Sequence, residues 1–177
     1  QTNGRGVLSF VSASANTPSS ADGQALGSAS LEWSDLFLAD GGQILFGNDQ
    51  EITLSHNADN GLILKHVGTG DGKEPSLTFQ AGDNDIAAND VLGSIFFQAP
   101  DEGAGTDAIL IAAGIEAVSE GDFSASNNAT KLVFKTAASE LASEKMSLSS
   151  AGILTITDDL IIGDGKTIGS ASDPDAI

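Results

Sequence analysis

By type and spacing, the residues best suited to do chemistry are two histidines and two acidic clusters. His56 and His66 are the only imidazoles in the chain. They flank "NADNG", a hairpin turn signal, so His56 sits beside the turn and His66 near the far end, opposite about Ile52. That spacing keeps them from sharing a metal within one chain. In an assembly of three copies, either histidine facing the axis would form a ring of three imidazoles, a metal or anion site. The simpler reading is a histidine capping an apolar face at a strand end. "GDNDIAAND" offers Asp83, Asn84, Asp85, Asn89 and Asp90, and "FGNDQE" offers Asn48, Asp49 and Glu51. Calcium wants several carboxylate and carbonyl oxygens converging from a flexible loop. Neither run has EF-hand spacing, because no glycine stands at the sixth position, and "GGQILFGND" does not match the calcium nonapeptide of β-rolls. Turn formation accounts for both clusters more simply. No metal or cofactor is therefore assigned, with His56, His66, Asp83 and Asp85 kept as candidate ligands.

Catalytic constellations are hard to find. Carboxylates are abundant enough for a glycosidase-like pair, but no pair stands out, and no nucleophile elbow or cysteine accompanies them. "GTGDG" at Gly68–Gly72 is no phosphate loop, since neither "GK[ST]" nor a helix follows. Trp33, the single tryptophan, could stack on a sugar, but within "SLEWSDL" a packing anchor is the more economical role. "NAT" at Asn128–Thr130 is a glycosylation sequon by spelling, relevant only to a eukaryotic secretory pathway. The expectation is a protein that is not an enzyme.

Charge narrows the partners. Seven basic and 25 acidic residues give a net −18. Such a surface repels phosphate backbones and anionic lipid, which argues against nucleic acid and membrane insertion. No apolar run approaches the roughly 18–20 residues of a membrane helix. Without cysteine, neither disulfides nor thiolates contribute. Aromatic residues are only 5% of the chain, so large core-filling side chains are scarce. The chain starts at Gln1 and finishes on "SDPDAI", which reads as a processed product or a piece of a longer polypeptide.

The elements that must position these residues are short strands. Helical periodicity is nearly absent, and brief alternating runs separated by Gly, Asn, Asp and Ser predict an all-β protein. Residues 1–30 read as a strand or arm around "GVLSFV" plus a linker. Residues 31–67 form a β-repeat module: "QILF", the turn "GNDQ", then the hairpin "EITLSH-NADNG-LILKH", with Asn57, Asp59, Asn60 and Gly61 expected at positive φ. Residues 68–157 form a β-rich module with strands in "SLTFQA", "LGSIFFQAP", "AILIAAGIEAV", "TKLVFKT" and "EKMSLSSAGILTI". Ile109, Ile111, Ala113, Ile115 and Ala117 line one face of its longest strand, and the other face stays apolar or small as far as Glu116. A strand covered on both sides needs a second layer, and another copy of the chain is a natural source. "TAASELASEKM" has the only helical character, a turn or two at most. Residues 158–177 begin a second repeat. "DLFLADGGQI" (Asp35–Ile44) returns there as "DLIIGDGKTI" (Asp159–Ile168), identical at five of ten positions, with "GSAS" beside each copy.

The segment Leu92–Ile156 resembles a module of bacteriophage tail fibres. The resemblance rests on Gly93–Ile95–Phe97, Leu132–Phe134–Thr136, Glu144–Met146–Leu148 and Gly152–Leu154–Ile156, in that order. Leu31–Leu64 likewise resembles repeat units of marine-phage fibre proteins. Together the two cover somewhat more than half of the chain; no chaperone or peptidase segment follows, so self-cleavage is not carried over. The resemblance implies an elongated homotrimer of short strands and hairpins, a triple β-prism or β-helix-like shaft with a small β knob, located in the virion as a tail fibre or other surface appendage. Its partners would be two further copies, adjoining virion proteins and a host-surface glycan or receptor. The alternatives are a capsid-decorating or capsid-fibre protein, a monomeric β-sandwich acting as a calcium-dependent adhesin or glycan-binding module, and a fibre-borne glycan-degrading enzyme.

Overall fold

The computed structural model describes residues 20, 25–99, 105–166 and 168–169. The run "GVLSFV", most of segment 1–30 and the final "SDPDAI" lie outside the described residues. The chain divides into two units, Gln1–Leu77 and Thr78–Ile177. Both are built from antiparallel sheet, and no helix occurs among the described residues.

The first unit holds a three-stranded sheet, β1 (Gln43–Phe46), β2 (Ile52–Asn57) and β3 (Gly61–His66), in that order. Strict alternation in "EITLSH" puts successive side chains on opposite faces, which suits a ladder rather than a helix. The turn "GNDQ" closes through the Gln50 amide donating to the Gly47 carbonyl at 3.2 Å, with both residues at positive φ. The β2–β3 hairpin pairs from Ile52 opposite His66 to Asn57 opposite Gly61, the register expected from the sequence. Its loop needs fewer left-handed residues than expected. Of the four named above, only Asp59 and Gly61 have positive φ. The Asn60 amide already reaches the Asn57 carbonyl at 3.0 Å, so one left-handed residue inside the turn and one at re-entry suffice.

The second unit is a five-stranded meander: β4 (Val91–Gln98), β5 (Ile111–Ser119), β6 (Thr130–Thr136), β7 (Ser143–Leu148) and β8 (Leu154–Ile156). Register shifts interrupt the ladder between Val91 and Gly93, Phe97 and Gln98, and Phe134 and Lys135. Three expectations change here. "SLTFQA" joins no ladder, and Phe79 instead lies against Gly93, where an added methyl would meet the Phe79 Cβ at 2.8 Å. The longest strand begins at Ile111 rather than Ile109, because the Leu110 amide turns back to the Asp107 carbonyl at 3.1 Å. "TAASELASEKM" makes no helical turn. The Ala137 and Ala142 amides are taken by the Ala112 and Ile111 carbonyls at 3.0 and 2.9 Å, so the segment is drawn onto β5.

The repeated decapeptide has the same local fold in both places. The Gly42 amide donates to the Ala39 carbonyl at 2.7 Å, and at the matching positions Lys166 donates to Gly163 at 3.0 Å. The third turn residue is Gly41 in one copy and Gly165 in the other, with φ of 74° and 71°. A type II turn demands that conformation, and glycine adopts it without strain. The apolar residues before each turn, however, belong to no strand, so the predicted strand-turn-strand is an extended arm leading into a turn.

Candidate functional site

Directly opposed residues of an antiparallel sheet share a face, so register sorts the side chains. In the first unit Ile44, Phe46, Ile52, Leu54, Leu62 and Leu64 share one face with His56 and His66. In the second, Ile95, Phe97, Ala113, Ile115, Ala117, Leu132, Phe134, Met146, Leu148, Leu154 and Ile156 share a face, with Lys145 at the register shift on its rim beside Thr136 and Ser143. Ile44, Phe46 and Leu62 in one sheet, and Ile95, Phe97, Leu132, Leu148 and Leu154 in the other, are exposed. Isolated exposed apolar residues are ordinary. Contiguous, mainly apolar faces of this extent are less usual on a chain of net −18.

The opposite face of the five-stranded sheet carries the charge and is the better enclosed. Glu116 is buried, and the Lys135 ammonium lies 2.7 Å from its Oε2. Lys131 Nζ donates to Glu144 Oε2 at 2.9 Å. Because Glu144 stands opposite Lys135, the Lys131–Glu144 contact spans the position of Val133, which is 1% exposed. The lysine stems thus serve as apolar cover with their ammonium groups at the rim. The Lys131 ammonium, followed by Ser147, holds the Glu144 carboxyl below its ordinary pKa. Ser119, also enclosed, accepts from the Asp90 amide at 3.0 Å and donates to the Ala87 carbonyl, fastening residues 87–90 onto β5. Sequence reading missed Glu116, Lys135 and Ser119 as structural anchors, since their partners lie 19 or more residues away and leave no local pattern.

The predicted ligands are not brought together. His56 and His66 share a face, but three residue pairs lie between their positions, a separation of about 14 Å along the strands. His56 Nδ1 stands 3.6 Å from Asp40 Oδ1, and His66 Nδ1 accepts from the Gly68 amide at 3.0 Å. Asp83 Oδ1 caps its own loop by accepting from the Asp85 amide at 2.9 Å, and Asp90 Oδ2 does the same for Ala87 at 2.7 Å. Turn formation is therefore what these carboxylates do in the chain. Among the described residues, no three His, Asp or Glu side chains gather within reach of one metal ion. In "FGNDQE", Asp49 is held below the ordinary carboxylate range, first by a side-chain hydrogen bond with Glu51 and then by its own backbone amide. Glu51 Oε2 is buried without a partner. Trp33 and Phe37 are exposed and line a shallow apolar cleft of about 350 Å³ with Leu26, Asp35 and Leu36. None of the family models, curated proteins or solved structures compared with this chain matches it.

Proposed function

We propose that this protein is a virion structural component: a segment of a homotrimeric bacteriophage tail fibre or similar appendage that connects or displays a host-receptor-binding part. The observation that carries the reading is the pair of mainly apolar sheet faces left exposed in a single chain. Two further copies would cover them, and interchain burial would give the rigidity and protease resistance a shaft requires. The repeated decapeptide, the all-β architecture and the fibre-like motif order support the same reading. The chain's work would be mechanical, its partners two more copies, adjoining virion proteins and a host-surface glycan or receptor.

A second reading, a calcium-dependent adhesin or glycan-binding β-sandwich, draws on the Asp49–Glu51 pair and the partnerless Glu51 oxygen. Against it, each unit shows, among the described residues, one sheet rather than two packed together. Sedimentation velocity, with and without calcium, separates the two. The fibre reading expects three chains with a high frictional ratio, indifferent to calcium. A compact monomer whose melting temperature rises with calcium would replace it with the adhesin.

A further inference from the structure

The two repeats agree in more than spelling. Leu36, Phe37 and Leu38 are 65%, 91% and 51% exposed, and the matching Leu160, Ile161 and Ile162 are 60%, 89% and 41% exposed. Each tripeptide is extended, belongs to no strand, and makes no backbone hydrogen bond among the described residues. Each ends in the same turn, with its left-handed glycine at the same place. Three consecutive large apolar residues in an extended chain point to both sides, so no single sheet face could cover them all. A lone exposed leucine needs no explanation, but the same exposed triplet built twice does.

We propose that Leu36–Leu38 and Leu160–Ile162 are a repeated self-association motif, each arm covered in the assembled protein by the equivalent arm of other copies of this chain. The inference rests on the trimeric reading above and names its contacts. Three observations favour a second copy as the occupant. The three side chains of each arm expose on the order of 350 Å² of mainly apolar surface, nearly half of the roughly 800 Å² per partner of a specific interface, from three residues alone. The arms' backbone groups are free to pair along a neighbouring arm, as at any open strand edge. Finally, the motif occurs once in each unit, and two weak contacts carried on one chain reinforce each other when both are made. Asp35 and Asp40 bracket the first arm, and Asp159 and Asp164 the second. Like charges then flank every contact, so association should tighten as salt rises.

The test is light-scattering mass for the wild type and for Phe37→Lys, Ile161→Lys and the double variant. Lysine is chosen because it sets a charge into the apolar contact while lowering the net negative charge of the chain as a whole. Both positions are about nine-tenths exposed in the single chain, so the monomer's fold should be unaffected, as circular dichroism would check. Each single variant is expected to weaken association at least tenfold, and the double variant to run as one chain. Leu31→Lys, exposed but outside the motif, should leave the assembly intact. A double variant that stays trimeric would overturn this inference while leaving the fibre reading standing. A monomeric wild type would overturn both. Hydrogen exchange on the wild type gives a readout without substitution: amides 36–38 and 160–162 should be protected at least a hundredfold in the assembly. Free exchange at both arms in a trimer would also overturn the motif.

Discussion

The two sheets solve the same problem to different extents. In the three-stranded sheet of the first unit, Thr53 is the one strand residue that is buried, and large apolar side chains are exposed on both faces: Ile44, Phe46 and Leu62 on one, Leu45 and Ile63 on the other. The five-stranded sheet encloses the middle of one face by itself, over Val118, Val133 and Ser147 with paired lysines and glutamates as the cover, leaves Phe96 and Val91 exposed at that face's β4 edge, and leaves the other face open. Three short strands offer too little width for long side chains to lie across, whereas five provide a central β5 and β6 with neighbours on both sides. The narrower sheet therefore encloses almost nothing by itself, whereas the wider one encloses the middle of one face.

That contrast can be broken most sharply at Lys135. Lys135→Ala leaves Glu116 buried without its counter-charge and should cost about 3 kcal/mol by denaturant unfolding. Pairing Lys135→Met with Glu116→Leu should restore most of it. A loss under about 1 kcal/mol would mean that the charged face is not closed as described. Ser119→Ala comes next, at about 1.5 kcal/mol, because it removes both bonds of an enclosed hydroxyl that ties residues 87–90 to β5, while the Asp90 amide keeps its 3.2 Å bond to the Ala87 carbonyl. The corresponding probe in the narrower sheet, Thr53→Val, should change stability by less than about 1 kcal/mol, since its hydroxyl fastens no loop. Equal losses at the two sites would erase the distinction between the sheets.

The smallest effect concerns Glu144. Its folded pKa is depressed by Lys131, so the pair's contribution is complete above the ordinary glutamate range. It is lost as the pH falls through the depressed folded value. Lys131→Met should therefore cost less than about 1 kcal/mol at neutral pH and nothing at strongly acid pH, as parallel unfolding curves would show. A cost that grows on acidification would contradict the sign.

Local pattern carried much of the fold. The period-two alternation of "EITLSH" and the turn residues after it predict the β2–β3 hairpin down to Ile52 facing His66. Alternation reports which side a residue faces, not whether its amide finds a partner, and "SLTFQA" shows the difference, with Phe79 packed on Gly93 outside any ladder. The same limit explains the repeat, whose hydrophobic spelling suggests a strand while its arm pairs with nothing among the described residues. Glu116 was legible only as the end of an apolar face. Its burial depends on Lys135, brought alongside by the β5–β6 register. The histidines and Asp83 were identified as candidate ligands by residue type, yet their reach is fixed by register and loop capping, which residue type alone cannot supply.

The central claim is that the exposed apolar surfaces are covered by further copies of the same chain. Light scattering on the intact wild type, followed through serial dilution, tests it most directly. The account predicts a particle of three times the 17.8 kDa chain mass that persists on dilution and grows more resistant to dissociation as salt rises. A particle of one chain mass at every concentration would contradict it.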